Sequence, residues 1–109
     1  MGSNDFTGRL VLVTGAGSGI GLETALAFAR AGARLVITDV NEAALAAARA
    51  AVTALGAECL ARRCDVSDEQ DMGALAEHVK EQAGVPDILV NNAGIGYFGL
   101  FLDTPTVAW

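Results

Sequence analysis

The sequence has little positive charge and no long apolar run. Its 109 residues carry seven Lys and Arg against thirteen Asp and Glu, a formal net charge of −6. This balance argues against nucleic acid or an anionic membrane as a partner. No apolar run reaches the roughly 18 residues needed to cross a bilayer, and the first residues lack the basic stretch and apolar core of a signal peptide. We therefore expect a cytoplasmic protein that binds neither nucleic acid nor membranes.

Cysteine and histidine are also scarce: Cys59, Cys64 and His78 are all that the chain has. The two cysteines lie on a predicted strand and would be roughly 16 Å apart at about 3.3 Å per residue, too far for a disulfide. Neither forms a C-x-x-C pair, so we predict no metal site. We expect both cysteines to be small buried residues and His78 to lie at the surface.

The most informative segment that is present is rich in glycine. Residues 14–21 read TGAGSGIG and directly follow the apolar, β-branched run at 10–13. Gly15, Gly19 and Gly21 have the spacing G-x-x-x-G-x-G, which differs from the strict G-x-G-x-x-G and lacks the Gly-Lys-Ser/Thr of a P-loop. A helix N-terminus attracts anions, and glycines let the backbone approach a pyrophosphate. The run predicts the phosphate cradle of a dinucleotide site, with a purely structural turn as the alternative.

Strand and helix patterns alternate along the chain. We predict strands at Leu10–Thr14, Arg34–Asp39, Glu58–Val66 and Asp87–Asn91, and helices at Gly21–Ala31, from Asn41 to Leu55, from a Ser67/Gln70 capping box to Gln82, and from Thr104-Pro105 onward. This alternation predicts a three-layer α/β fold, a Rossmann-type doubly wound parallel sheet of order 3-2-1-4. Residues 1–8 would form a tail and residues 9–109 an incomplete NAD(P)-binding domain. Ligands bind where the winding reverses, so the turns after strands 1 and 4 should meet there.

Asp39 ends the second predicted strand, eighteen positions after Gly21. A carboxylate there can accept hydrogen bonds from both adenosine ribose hydroxyls and would repel a 2′-phosphate. An NADP site would want a basic residue near the turn or just past this strand, where the chain has Ser18 and Val40. We therefore expect NAD rather than NADP. The alternative for Asp39 is a charge that stabilises the helix beginning near Asn41.

Two further segments follow predicted strands. Asp65 could accept from the exocyclic amine of adenine while the Val66 backbone meets the ring edge; the alternative is a capping acid before the next helix. Asn92 could fix the loop backbone beside the nucleotide, with Ala93 and Gly94 leaving room for it. A plain turn is the alternative reading there.

Together, TGAGSGIG, Asp39, Asp65-Val66 and the NNAG of residues 91–94 resemble the N-terminal part of the short-chain dehydrogenase/reductase family, in order and over nearly the whole chain. The sequence around the glycines is also similar to the reductase domain that some bacterial proteins fuse behind an epoxide hydrolase. The resemblance implies an NAD(P)-dependent oxidoreductase for a small-molecule alcohol or carbonyl, commonly a homo-oligomer. It implies that the pyrophosphate and adjoining ribose are held by Gly15, Ser18, Gly19 and Ile20, the adenosine ribose by Asp39, the adenine by Asp65 and Val66, and the middle of the cofactor by Asn92.

The catalytic residues of that family are not found in this chain. The family uses a serine and a Tyr-x-x-x-Lys pair, in which the lysine lowers the pKa of a proton-donating tyrosine. Here the single tyrosine, Tyr97, is followed four residues later by Phe101, and the single lysine, Lys80, precedes it. We therefore predict no catalytic residue. Two interpretations stay open. The segment is the cofactor half of an enzyme, or it is a non-catalytic nucleotide-binding or assembly fragment. The sequence beyond Trp109 would distinguish them.

The fourth predicted strand has no predicted neighbour on its outer side. Its apolar residues 88–90 would then form an exposed edge, and exposed apolar edges pair with other chains. From this we expect the chain to self-associate.

Overall fold

The computed structural model describes residues 5–94, 97–101 and 106–108. The elements in chain order are β1 (Leu10–Thr14), α1 (Gly19–Arg30), β2 (Arg34–Asp39), α2 (Glu42–Ala54), β3 (Cys59–Arg63), α3 (Glu69–Gln82), β4 (Ile88–Asn91), a 3₁₀ turn (Phe98–Leu100) and β5 (Thr106–Ala108). All strand pairs are parallel, in the order β3-β2-β1-β4-β5. The predicted order 3-2-1-4 is confirmed, and β1 and β2 begin and end where predicted.

The sheet is covered by helices on both faces, which makes the three predicted layers. β1 is buried along its whole length because alternate residues face opposite layers. Leu10 and Leu12 pack on one face with the apolar side of α3, including Met72. Val11 and Val13 pack on the other face with α1 and α2. The continuous apolar run of β1 thus reflects burial on both sides.

Several element ends differ from the predictions. α3 is capped by Asp68 and not by Ser67, because the Asp68 carboxylate accepts from the amides of Gln70 and Asp71 while the Ser67 hydroxyl donates to Asp65. β3 is shorter than the predicted Glu58–Val66, and α1 begins at Gly19. Phe6, in the predicted tail, packs edge to face on Phe28 with ring centroids 5.0 Å apart.

The predicted helix from Thr104-Pro105 is wrong over residues 106–108. These residues form β5, which pairs with residues 88–90 of β4; Thr104 and Pro105 lie outside the described residues. The β-branched Thr106 and Val107 favour a strand, and the free edge of β4 supplies the partner. The edge that was expected to be exposed is therefore covered in this structure.

Cys64 is buried and Cys59 is partly buried, and the two thiols are free. Burial raises the pKa of each thiol to about 11, so both stay protonated and unreactive near neutral pH. His78 is partly exposed. Within the described residues, no group of His, Cys, Asp and Glu side chains could hold a metal ion. No helix among them is long and apolar enough to span a membrane.

Candidate cofactor site

The glycines of the turn after β1 allow three backbone segments to come together. Gly15 has φ +63°, and a Cβ on it would lie 3.2 Å from the carbonyl carbon of Asn92 in the loop after β4. A Cβ on Gly21 would lie 1.9 Å from the carbonyl oxygen of Gly15. The first turn of α1 therefore packs directly on the backbone of the turn, which any side chain at Gly21 would prevent.

The N-terminus of α1 has none of the usual caps. Ser18 is the N-cap residue, but its side chain makes no capping hydrogen bond, and the first turn contains no acidic residue. Ile20 is 77 % exposed. Gly19 has φ +61°, and a Cβ on it would meet no atom of the described residues within 4 Å outside its two chain neighbours and its own helix backbone. The first turn therefore has no side-chain cap within the described residues, and the partial positive charge of a helix N-terminus attracts an anion.

The Asp39 carboxylate ties the turn after β1 to the turn after β2. Its Oδ2 accepts from the Gly17 amide at 2.9 Å, and its Oδ1 accepts from the Asn41 amide at 3.0 Å. A Cβ on Gly17 would lie 2.8 Å from Oδ2, so glycine is needed there for this close approach. The side chain of Asn41, and not Asp39, caps α2 through the Ala44 amide. Asp39 is partly exposed, and a carboxylate oxygen can accept more than one hydrogen bond.

The Asp65 carboxylate lies in the turn after β3. Its Oδ1 accepts from the Ser67 amide at 3.0 Å and from the Ser67 hydroxyl at 2.6 Å. These two hydrogen bonds lower the pKa of Asp65. Oδ2 makes no hydrogen bond within the described residues and is available to a ligand. Val66 is buried, and its carbonyl accepts from the Tyr97 amide at 3.3 Å.

The Thr14 hydroxyl joins β1 to the loop after β4. It donates to Asn91 Oδ1 at 3.1 Å and accepts from the amides of Asn92 at 3.0 Å and Ala93 at 3.3 Å. Thr14 is fully buried. The hydroxyl therefore satisfies the Asn92 amide, shares the Ala93 amide with Asn91 Oδ1, and fixes the loop beside the glycine turn.

The side chain that braces this loop is that of Asn91. Its Oδ1 accepts from the Ala93 amide at 3.2 Å, and its Nδ2 donates to the carbonyl oxygen of Gly94. We expected Asn92 to fix the loop backbone. The Asn92 side chain is exposed and makes no hydrogen bond to the described part of the chain. Only the backbone amide of Asn92 helps to hold the loop, by donating to the Thr14 hydroxyl. A polar residue at the end of an apolar strand was the signal that could have pointed to Asn91, and likewise to Thr14.

The family model for short chain dehydrogenases matches residues 9–109. The chain belongs to the short chain dehydrogenase family. This membership agrees with the resemblance carried by the glycine turn, Asp39, Asp65-Val66 and the NNAG segment.

Known members of the family are similar over most of this chain. "Probable oxidoreductase EphD" of Mycobacterium tuberculosis is 56% identical over 100 residues, which is 92% of this chain and 17% of that protein. The 7alpha-hydroxysteroid dehydrogenase of Escherichia coli K12 is 45% identical over 89 residues, 82% of this chain and 35% of that protein. A crystal structure of NAD+-bound xylitol dehydrogenase matches with a TM-score of 0.80 and 41% identity, over 84% of this chain and 35% of that one. The chain thus spans about a third or less of these relatives.

In this short chain dehydrogenase segment, the predicted site residues lie at one end of the sheet, where the parallel strands finish. The turns after β1, β2, β3 and β4 all leave the carboxyl ends of parallel strands, and the hydrogen bonds of Asp39 and Thr14 join three of them. Tyr97 and Lys80 do not form a pair: Lys80 Nζ donates to the carbonyl oxygen of Leu100 at 3.2 Å.

Proposed function

We propose that this chain is the nucleotide-binding half of an NAD-dependent oxidoreductase that transfers hydride between a nicotinamide cofactor and a small-molecule alcohol or carbonyl. The observation that carries the proposal is the convergence of an uncapped helix N-terminus and the loop after β4 at the switch point between β1 and β4, with the two acidic turns following the neighbouring strands β2 and β3. Doubly wound sheets bind dinucleotides at that place. A bound nicotinamide ring would supply the hydride chemistry.

The residues present fit such a cofactor. The open space at Gly19 and the bare amides after Ser18 suit a pyrophosphate, and Ile20 offers an exposed apolar surface beside them. Asp39 would accept from the adenosine ribose hydroxyls, and Asp65 Oδ2 would accept from the adenine amine near the Val66 backbone. The loop of Asn92, Ala93 and Gly94, held by Thr14 and Asn91, would lie against the middle of the cofactor. These roles bind and orient the cofactor, and no residue of this chain is assigned to proton transfer.

NAD is the proposed cofactor because Asp39 would repel the 2′-phosphate of NADP. The test is a fluorescence titration of the chain with NADH and with NADPH. We expect NADH to bind more tightly; equal or tighter binding of NADPH would contradict the assignment. No binding of either nucleotide would overturn the proposed function.

Asp39→Asn sharpens this test. The amide keeps an oxygen acceptor for the Gly17 amide but removes the negative charge. We expect the preference for NADH over NADPH to fall by about tenfold, since removing one close charge changes relative affinity by about 1 to 2 kcal/mol. Asp68→Asn, at the cap of α3, is the matched control and should leave the preference unchanged.

We also propose a cytoplasmic location and a homo-oligomeric state. A binding-only role for the chain is tested by the sequence that follows Trp109: a serine followed by Tyr-x-x-x-Lys would support the enzyme. The substrate beyond an alcohol or carbonyl is not assigned.

A further inference from the structure

Arg63 places a positive charge beside the turn after β2, although it is distant from that turn in sequence. β3 pairs with β2 so that Arg63 is the register partner of Asp39. The Arg63 Nε donates to the carbonyl oxygen of Val40 at 3.2 Å. The local sequence after β2 contains no cation, so only the pairing of the two strands brings this guanidinium to the adenosine side of the proposed site.

The same guanidinium also reaches α3. Arg63 Nη1 lies 3.7 Å from Asp71 Oδ2, and both side chains are roughly half exposed, at 49% and 41%. Asp71 Oδ2 in turn accepts from the Asp65 backbone amide at 3.2 Å. One chain of contacts therefore runs from the Val40 carbonyl through Arg63 and Asp71 to the backbone of Asp65.

The two ends of this chain of contacts are the two acidic turns of the site. Val40 directly follows Asp39, and Asp65 carries the second carboxylate. An isolated exposed ion pair contributes little to stability, but a guanidinium has donors in a fixed fork and can hold two acceptors at once. Arg62, its neighbour, carries the same charge and is also exposed, but it makes no hydrogen bond or ion pair within the described residues.

We propose that Arg63 is a positioning residue for the adenosine end of the cofactor. It joins the turn after β2 to the first turn of α3 and so holds the carboxylates of Asp39 and Asp65 in one arrangement. This inference rests on the proposed function. It is independent of the NAD preference, because Arg63 acts through the backbone of both turns and not through a phosphate.

The experiment compares Arg63→Met, Arg63→Lys and the control Arg62→Met in the 109-residue chain. The dissociation constants of NADH, NADPH and ADP-ribose are measured by fluorescence and calorimetry, together with the melting temperature. We expect Arg63→Met to weaken all three ligands about fivefold, which matches the loss of one exposed ion pair and one hydrogen bond. Arg62→Met should bind like the unsubstituted chain, and Arg63→Lys should recover part of the loss. The melting temperatures of both methionine variants should agree within about 2 °C.

A double variant with Asp71 distinguishes a positioning role of Arg63 from a general effect of losing its charge. Asp71→Ala should weaken ADP-ribose to a similar extent, and the double variant Arg63→Met/Asp71→Ala should bind no more weakly than Asp71→Ala alone, because both changes break one chain of contacts. Additive losses would overturn the proposal.

Three other results would also overturn it. Equal binding by Arg63→Met and Arg62→Met would do so while leaving the proposed function intact. A loss confined to NADPH would make Arg63 a phosphate ligand and not a positioning residue. Failure of the unsubstituted chain to bind any of the three ligands would remove the proposed function and this inference together.

Discussion

The N-termini of α1 and α3 lie at the same edge of the sheet but are built in opposite ways. The first turn of α3 contains Glu69 and Asp71, and the Asp68 carboxylate accepts from two of its amides. The first turn of α1 has no acid and no side-chain cap. A good N-cap contributes about 1 kcal/mol, and α1 forgoes that stabilisation.

The difference indicates what each terminus is for. A helix end that only needs stability is capped by its own side chains, which satisfy the amides and complement the dipole. A helix end that leaves its amides open can offer them to an anion, and its position must then be secured by other contacts. In this chain those contacts are the packing of Gly21 on Gly15 and the hydrogen bonds of Thr14 and Asp39.

The largest effect is expected when alanine replaces glycine at Gly21 in α1, and Gly73 in α3 provides the comparison. Gly21→Ala in α1 should destabilise the fold by about 3 kcal/mol or more, because the new Cβ meets backbone that cannot move aside. Gly73→Ala in α3 finds open space and should stabilise by up to about 1 kcal/mol. Urea unfolding of both variants measures the contrast. Similar free energies of unfolding for the two would show that α1 does not depend on this contact.

A smaller contrast is expected between two buried threonines that are register partners on β1 and β2. Thr14→Val leaves the Asn92 amide without its acceptor and the Ala93 amide with Asn91 Oδ1 alone, and it should cost about 2 kcal/mol. Within the described residues, Thr38 Oγ1 is buried with no hydrogen-bond partner; the Cys64 thiol lies near it, but sulfur is a weak partner. Thr38→Val should therefore change stability by less than about 0.5 kcal/mol or raise it. The free energy of unfolding decides, and an equal loss in both variants would contradict the role given to Thr14.

Exchanging the caps of α1 and α3 separates stability from binding. Ser18→Asp gives α1 a charged cap and should keep or raise stability, but it should weaken NADH binding about tenfold through repulsion of the pyrophosphate. Asp68→Ser should lower the free energy of unfolding of the chain by up to about 1 kcal/mol and leave NADH binding unchanged. Calorimetric unfolding and NADH titration test the pair. Unchanged binding in Ser18→Asp would mean that the anion does not lie at α1.

The smallest effect concerns pH. The pKa of Asp65 is below its ordinary value of 3.8 in the folded chain because of its two hydrogen bonds from Ser67. A lowered folded-state pKa stabilises the fold above that ordinary value, and the contribution is lost as the pH falls through the lowered one. Ser67→Ala removes the hydroxyl donor, so the pKa of Asp65 should rise toward 3.8. An NMR titration of the carboxyl group measures the shift, and an unchanged pKa would show that the hydroxyl is not its main cause.

Local patterns were enough for much of the fold. The segments at residues 10–14 and 34–39, each with an apolar, β-branched centre, predicted strands with the observed bounds, since a strand buried on both faces is apolar along most of its length. The helix predicted from Asn41 has Asn41 as its N-cap, because a cap bonds to an amide only three residues away. The order 3-2-1-4 followed from the right-handed crossovers of alternating strands and helices.

Features that depend on distant partners were missed. Asp68 and Ser67 are both residue types that cap helices well. The Ser67 hydroxyl donates to Asp65, so Asp68 is the residue that caps α3. Residues 106–108 contain no local pattern that outweighs the helix start indicated by Thr104-Pro105. They form a strand because they pair with the outer edge of β4. The sequence predicted Asn92 and not Asn91, because the polar end of the apolar strand was the only local signal for Asn91, and the contact with Thr14 that decides between the two asparagines forms only in the folded sheet.

The sequence by itself determined the fold class, the positions of the glycine turn and the acidic turns, and membership of the short chain dehydrogenase family. These depend on periodicity and spacing, which are local. Only the tertiary structure decided how the site is held: that Gly21 packs on Gly15, that Thr14 and Asn91 fix the loop after β4, and that Arg63 links the turns of Asp39 and Asp65. Each of these contacts joins residues brought together by strand pairing or helix packing, which no short stretch of sequence encodes.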